Sequence, residues 1–570
     1  MNTDPSKPSP VSETSAKAWP TVVIGLVMFV MGGCGMAYEY TLSKLASDIL
    51  GNSVQQWAMV IAIMLFCMGL GAEIQRYISD RRVVEVLGIS QIALAILGGF
   101  GPLAMLHVFS AFPAHFILTQ YLLISAIGVL VGFEIPLLTR INEQFSDDVK
   151  SNLARILKMD YIGALIGALV WVFLLFRYFS MVQTSLILAL TTLASASLFV
   201  ATFRKSAAKS GLILSGAGMV AIACLFGLKF EKGWTETAEQ RLYKDRIILS
   251  ETSKYQHIVL TESRSGVLSC FINGHLQFNG YDEHIYHEHL VHPAMSIAPR
   301  RSRVLILGGG DGLALREVLK YEDVESVTLV DLDPAMTELA RENEHFLKLN
   351  QGSLRDARVV SLQNAALQPS TQRQNITISG RGSLGQGAEQ TLQDIQVLNL
   401  DAAEFVAQAP GRYDVIIIDF PDPNSVELAK LYSQHFYGFL REKLSADGIF
   451  VQQSTSPYHA KEAFLCIGRT ITSAGLKAIP YHDNVPSFGE WGWWIGGPDT
   501  IYEEENLRSK LSHIPDLTAE TRYLTPETIR ASLSFGKTQL ETSETAISTL
   551  TNPRIFNYYL EAWQHSGGIL

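Results

Sequence analysis

Before about residue 230 the 570-residue chain repeats apolar stretches, over about 20–38, 55–75, 83–106, 113–135, 158–179, 181–202 and 211–230, each long enough to cross a lipid bilayer. Within hydrocarbon a single run of that length satisfies its backbone polar groups only as a helix. This half therefore reads as an all-α transmembrane domain of about seven spans over 20–232, with Tyr38 to Leu50 as an interfacial helix. Residues 1–19, rich in Pro, Ser and Thr, read as a flexible tail and not as a signal peptide. Basic residues gather at Arg76, Arg81 and Arg82, at Arg140, Lys150, Arg155 and Lys158, and at Arg204, Lys205 and Lys209, which are alternate loops. The positive-inside rule holds those loops and the tail in the cytoplasm, and an odd span count then puts the second half outside. Glu39, Glu73, Glu134 and Asp160 stand in or beside the spans, where an acid is either paired or functional, and Arg76 three residues after Glu73 favours pairing.

From about residue 233 the composition becomes that of a soluble domain. The runs IILSETSKYQHIVLTES and VLSCFINGHLQFNG, with a turn at Asn273-Gly274, predict a small antiparallel β part over 233–300. Beyond Arg303, apolar strands alternate with helical stretches: VLILGGG, VTLVDLD, IQVLNLD, YDVIIIDF and GIFVQQS. That alternation predicts an α/β Rossmann-like domain with a doubly wound parallel sheet over 301–530, interrupted by a polar, mobile insertion at 361–394 and followed by a C-terminal extension at 531–570. A net charge of −10 argues against a nucleic-acid partner and suits a cationic small molecule. The five cysteines form no CxxC pair, so neither a zinc site nor a disulfide framework is read.

Gly308, Gly309 and Gly310 fall between a buried strand and a helix, where backbone must approach a ligand closely. Asp331 ends the following strand, the position from which a carboxylate reaches ribose hydroxyls. The glycines lack the GxGxxG spacing, which favours an adenosyl sulfonium over a dinucleotide. Asp419 and Asp422 follow the strand YDVIIID, where open α/β sheets bind ligands. Singly, Asp311 or Asp401 reads as well as a helix cap or turn residue. Acids at the carboxyl ends of consecutive strands, however, share no common structural need. His284 and His287 read as packed or hydrogen-bonded residues, and Trp491, Trp493 and Trp494 as core aromatics.

The motifs YQHI, NGHLQ, DEHIYHE, GGGDG, VDLD and DFPDP occur in the order seen in spermidine synthases, over about Tyr255 to Gly497. Together with the membrane half and the phrase VPSFGEWG, they make the chain resemble the bacterial subgroup that carries an N-terminal multi-span membrane domain. The resemblance implies aminopropyl transfer from decarboxylated S-adenosylmethionine to a diamine, putrescine, giving spermidine and methylthioadenosine. No metal and no permanently bound cofactor are implied, and a homodimer is. Gln256, Gly308, Gly309, Gly310, Asp311, Asp331, Asp401 and Ala402 match the donor site, with Asp331 where many members have glutamate and Ala402 where glycine is usual. Asp419 matches the catalytic base; Tyr286, Asp422 and Gln453 match the acceptor pocket, with Gln277 and His287 in support. Phe488 stands where soluble members place a tyrosine, so one hydroxyl near the diamine is lost.

The chemistry explains these residue types on its own terms. A sulfonium is already an activated donor, so transfer needs a neutral amine in line with the methylene carbon. An alkyl amine is mostly ammonium at neutral pH, so a carboxylate must take its proton while other acids and an aromatic hold the cation. Asp311 and Asp419 would repel the carboxylate of ordinary S-adenosylmethionine. Two alternatives remain: a methyltransferase on the same fold, and a polyamine transporter or sensor that binds without turnover. The expected location is the bacterial inner membrane, multi-pass. The intracellular origin of the donor favours a cytoplasmic catalytic domain, against the charge count.

Overall fold

In a computed structural model, residues 10–50, 53–145, 148–362 and 394–565 are described. The chain divides into two compact units, Met1–Lys244 and Asp245–Leu570.

The first unit holds 7 helices long and apolar enough to cross a membrane, Trp19–Ile49, Gln55–Tyr77, Asp80–Ala111, Pro113–Asn142, Val149–Tyr178, Met181–Thr202 and Ser210–Gln240, among the described residues. Small residues let the first and fifth of these touch backbone to backbone: a Cβ on Gly163 would lie 2.0 Å from the Phe29 carbonyl oxygen, and one on Gly167 2.4 Å from that of Gly33. Several boundaries differ from the sequence reading. The first helix starts at Pro10, inside the expected tail, because proline suits a first helical turn; residues 1–9 of that tail lie outside the described residues. It runs unbroken to Leu50, so Tyr38 to Leu50 continues the span instead of forming a separate interfacial helix. The fourth span breaks after Gly132 and resumes as Glu134–Asn142, with Pro136 at its start. The last helix continues past 232 to Gln240, since EKGWTETAEQ is polar but mostly composed of residues that tolerate a helix. Of the span acids, Glu73 pairs with Arg76 at 2.6 Å, and Glu134, 1% exposed, accepts a hydrogen bond from Gln91 Nε2 at 2.9 Å.

The second unit opens with an antiparallel sheet of β1 (Arg246–Thr252), β2 (His257–Glu262), β3 (Leu268–Ile272) and β4 (His275–Asn279), in that order. Asn273 and Gly274 both take positive φ, 51° and 83°, as a two-residue hairpin turn requires. Helix α1 (Glu283–Ile297) then leads into a second sheet of β5 (Arg303–Gly308), β6 (Ser326–Asp331), β7 (Val359–Leu362), β8 (Asp394–Asn399), β9 (Tyr413–Asp419), β10 (Leu444–Gln453), β11 (Leu476–Val485) and β12 (Gly489–Pro498). Its order is β11-β12-β10-β9-β5-β6-β8-β7. The strands from β10 to β7 are parallel, and β12 is antiparallel to both its neighbours. From β5 the chain passes to β6, on to the edge strand β7 and back to β8 between them, then returns to the other side of β5 as β9, so the topological switch point lies between β5 and β9. The insertion expected at 361–394 lies, except at its ends, outside the described residues. Helices α2 (Leu313–Val318), α3 (Ala402–Gln408), α4 (Lys461–Ser473) and α5 (Arg554–His565) complete the elements that bear on the site.

Candidate active site

At the switch point β5 and β9 end side by side, with Gly308 registered against Asp419. A Cβ on Gly308 would stand 2.1 Å from the Asp419 carbonyl oxygen, and φ there is +82°, so only glycine permits this approach. Gly309, also at positive φ, turns the chain toward α2. Gly310 packs its Cα against a side chain: a Cβ would fall 2.5 Å from the Asp331 carboxyl carbon. Its N–H donates to Asp331 Oδ2 at 3.0 Å, while the Asp333 N–H donates to Oδ1 at 2.9 Å. The glycine loop and the end of β6 thus fix one carboxyl group. Burial pushes that carboxyl up to about 7, opposed by the two N–H donors and reinforced by the charges of Asp333 and Asp311.

Asp311 follows the loop and accepts the Leu313 N–H at 2.9 Å, entering α2. Burial raises its carboxyl, while the charge of His287 opposes the rise. Asp401 caps α3 by accepting the Ala403 N–H at 2.9 Å, and its other oxygen pairs with Lys430. Ala402, the first residue of α3, is buried. β6 and β8 end in register, Asp331 against Asn399, and the Leu400 N–H, one residue before Asp401, donates to the Asp331 carbonyl at 3.0 Å. Gln256 lies in a turn whose Ser253 hydroxyl accepts the Gln256 N–H at 3.0 Å and donates to Asp333 at 2.6 Å, tying that turn to the end of β6.

Across β9, Asp419 is 11% exposed and meets α1. The Tyr286 hydroxyl donates to Asp419 Oδ1 at 2.6 Å, and His287 Nε2 stands 4.0 Å from Oδ2. Burial pushes Asp419 up to about 6 against the pull of His287 and the Tyr286 hydroxyl, with Asp311 adding to the rise. His287 is itself buried, which disfavours its cation. Its hydrogen bond to Glu283 and the charges of Glu283, Asp311 and Asp419 nevertheless raise it to about 9, so it is an imidazolium at neutral pH. Glu283, one helical turn earlier, contacts His287 Nδ1 at 2.9 Å and grips Arg316 of α2 with both oxygens, at 2.8 and 3.0 Å.

Asp422 lies just beyond β9, and burial pushes it up to about 6. It receives the Thr455 hydroxyl at 3.2 Å and the Gln453 amide at 3.4 Å, and its charge helps raise the buried Tyr559 phenol. Gln453, at the end of β10, also donates to the Phe420 carbonyl and contacts the Tyr432 hydroxyl at 3.0 Å. Phe488 packs against Tyr286 and Trp491, with ring centroids 6.0 and 4.9 Å apart. Gln277 turns back on its own strand, its amide donating to the His275 carbonyl at 3.1 Å, away from the acid pair.

Three contributors were absent from the sequence reading: Glu283, Arg316 and Thr455. The Glu283–His287 spacing of four on one helix was a usable signal, because i and i+4 face the same way. Arg316 and Thr455 arrive by tertiary packing and carry no local signature. Among the described residues no group of His, Cys, Asp and Glu is arranged to hold a metal ion.

The arrangement is a set of buried acids with raised carboxyls, one held by backbone N–H groups and another by a tyrosine. Such a set suits a ligand that is part nucleoside and part cation. Comparison with known proteins agrees. The model of the Spermine/spermidine synthase domain matches residues 283–373 and 384–501. A polyamine aminopropyltransferase from Oceanobacillus iheyensis is 36% identical over 538 residues, 93% of this chain and 96% of that protein. A polyamine aminopropyltransferase 1 from Streptomyces coelicolor is 37% identical over 548 residues, 95% of this chain and 94% of its own. The solved spermidine synthase from Thermotoga maritima, 25% identical, aligns with 52% of this chain and 87% of that one at a TM-score of 0.40. With more than a third of its residues shared along nearly the whole length of these relatives, the chain belongs to the polyamine aminopropyltransferase family and is an aminopropyl-transferring enzyme.

Proposed function

We propose that the enzyme takes its aminopropyl group from decarboxylated S-adenosylmethionine and delivers it to a diamine, putrescine, with Asp419 as the base. The observation that carries this reading is the Tyr286–Asp419 hydrogen bond at the β5/β9 switch point, in a pocket whose other acids are Asp311 and Asp422. Asp331 accepts the ribose hydroxyls, with Gly308, Gly309 and Gly310 letting the nucleoside approach and Gln256, Asp401 and Ala402 bordering it. Asp311 receives the donor's aminopropyl ammonium. Tyr286, Asp422 and Gln453 hold the acceptor, and Phe488 closes an apolar wall along its methylenes. His287 supports the site from beneath, offsetting part of the negative charge so that Asp311 and Asp419 can both ionise.

Asp419 takes a proton from the acceptor ammonium. The freed nitrogen lone pair attacks the methylene carbon attached to sulfur, the C–S bond breaks with its electrons going to sulfur, and neutral methylthioadenosine leaves. A donor still bearing the methionyl carboxylate would face Asp311 and Asp419 with like charge, which supports the decarboxylated donor over a methyltransferase. The chain also acts at a bilayer in this reading: its seven apolar helices support multi-pass anchoring in the bacterial inner membrane. The intracellular origin of the donor supports a cytoplasmic catalytic unit.

The test is to incubate the full chain in detergent with either donor and a panel of mono- and diamines, and to weigh the products. Equimolar methylthioadenosine and aminopropylated diamine from the decarboxylated donor are expected. S-adenosylhomocysteine and methylated amine would overturn the donor assignment, and equal use of monoamines would overturn the acceptor class.

A further inference from the structure

Among the described residues, Asn273, Gln351 and Thr455 are the non-glycine residues with a left-handed backbone. Asn273 makes the turn between β3 and β4, and Gln351 follows the last residue of the helix Glu344–Asn350; both are ordinary places for that conformation. Thr455 has neither reason. It is β-branched and fully buried, and it stands two residues beyond β10 at φ +58°, where a branched side chain is costly to accommodate. Such strain persists only where the surroundings enforce it, and it clusters at functional sites.

A β-bulge between β10 and β12 enforces it here. Gln453 is paired with Trp493, and the next two residues both face Gly492. The Ser454 N–H donates to the Gly492 carbonyl and the Gly492 N–H donates to the Thr455 carbonyl, each at 2.9 Å. A Cβ on Gly492 would lie 2.5 Å from the Phe464 ring, so a glycine suits this spot. The Thr455 N–H donates to Gln453 Oε1 at 3.1 Å, which turns the Gln453 amide nitrogen the other way.

A bulge re-aims a side chain, and the result here is convergence on one acid. In a regular strand, residues two apart stand roughly 6.6 Å from each other along the same face. At the bulge, the Thr455 hydroxyl donates to Asp422 Oδ2 at 3.2 Å and the Gln453 amide donates to Oδ1 at 3.4 Å, so both reach a single carboxyl group. Both donors are neutral, which leaves the charge of that carboxylate for a cation from outside the chain.

We propose that Thr455 is a positioning residue for the acceptor: the strained bulge turns its hydroxyl onto Asp422 and sets that carboxylate toward the acceptor ammonium. This rests on Asp422 holding the acceptor, as in the function proposed above. Thr455→Val keeps the branch, the size and the backbone cost and removes only the hydroxyl. Thr455→Ser keeps the hydroxyl and removes only the methyl group.

The experiment uses the full chain in detergent, with decarboxylated S-adenosylmethionine and putrescine, and compares wild type, Thr455→Val, Thr455→Ser and Asp422→Asn. For Thr455→Val the putrescine KM should rise about tenfold, with kcat and the donor KM within about twofold, as loss of one hydrogen bond to a charged group acting indirectly would give. Thr455→Ser should recover most of that loss. An unchanged putrescine KM in Thr455→Val, beside a raised one in Asp422→Asn, overturns the role of Thr455 alone. An unchanged KM in Asp422→Asn overturns the acceptor assignment itself. If Thr455→Ser is as impaired as Thr455→Val, the methyl packing and not the hydroxyl matters, and the proposal fails. An equal rise of donor and putrescine KM in Thr455→Val means general loosening, and that too overturns it.

Discussion

The centre of the proposed donor end is assembled within one passage of chain, in which Gly310 and Asp331, 21 residues apart, hydrogen-bond each other across a strand–loop–helix–strand unit, with Gln256 and Asp401 at its borders. The proposed acceptor end joins Tyr286 to Asp419 across 133 residues and adds Asp422, Gln453 and Thr455 from beyond them. The donor end is fixed mainly by backbone: two N–H groups on one carboxylate and glycines at positive φ. The acceptor end is fixed by side chains packed from separate elements. Backbone geometry tolerates few substitutions but is local, whereas side-chain geometry depends on every element that carries a partner. Substitutions should therefore separate the two ends cleanly, and the comparison fails if they do not.

The largest effect should come from Glu283, which joins the ends by holding His287 beside Asp419 and Arg316 of α2. Burial opposes its charge, yet His287 and Arg316 hold it down to about 2. Its contribution to stability is therefore present above the ordinary carboxylate range and lost only as pH falls through about 2. Glu283→Ala leaves an arginine and an imidazolium buried without their shared partner, and should cost about 3–5 kcal/mol of stability. A melt of the full chain followed by tryptophan fluorescence should show the loss, and a wild-type melting temperature would show that the network is dispensable.

Asp331→Ala comes next. Removing a charged acceptor from the ribose should weaken methylthioadenosine binding by about 1.5–3 kcal/mol by calorimetry while leaving the putrescine KM near wild type. A change confined to putrescine would invert the two ends.

The smallest effect is the spacing of two acid limbs. Asp419 and Asp422 are pushed up to about 6 and act as carboxylates, so kcat/KM for the acceptor should fall as pH drops through about 6. Asp331 is pushed up to about 7, so methylthioadenosine affinity should begin to fall about a unit higher. The same raised acids bind protons more readily in the folded chain than in the unfolded one, so they cost stability at neutral pH and cost less as pH falls through those values. Coincident limbs would remove the distinction.

This difference also governs what could be read from the sequence. The strands β5, β6, β8, β9 and β10 were legible as apolar runs, and the Asn273-Gly274 hairpin as a turn. By contrast β11 and β12 were not singled out: Trp491, Trp493 and Trp494 read equally as strand or core aromatics, and pairing antiparallel to β10 has no local signal. At the donor end a short motif encodes its own geometry, so Gly308 to Asp311 and Asp331 stood out. At the acceptor end Asp419 and Asp422 were visible as a pair after a strand, whereas Tyr286 and Gln453 came only through the family resemblance. Thr455 became relevant only once β12 paired with β10. In the helical unit, hydropathy located the spans well but not their ends, because a helix continues into polar sequence wherever propensity allows.

The most direct test of the account is Asp419→Asn, with transfer and methylthioadenosine affinity measured on the same preparation. Asparagine keeps the size and the Tyr286 contact but cannot take the acceptor's proton. Turnover should fall at least about 100-fold, the lower range for a lost general base, with methylthioadenosine affinity within about twofold of wild type. Turnover within a few-fold of wild type would contradict the assignment of the base, and a parallel collapse of methylthioadenosine binding would contradict the separation of the two ends.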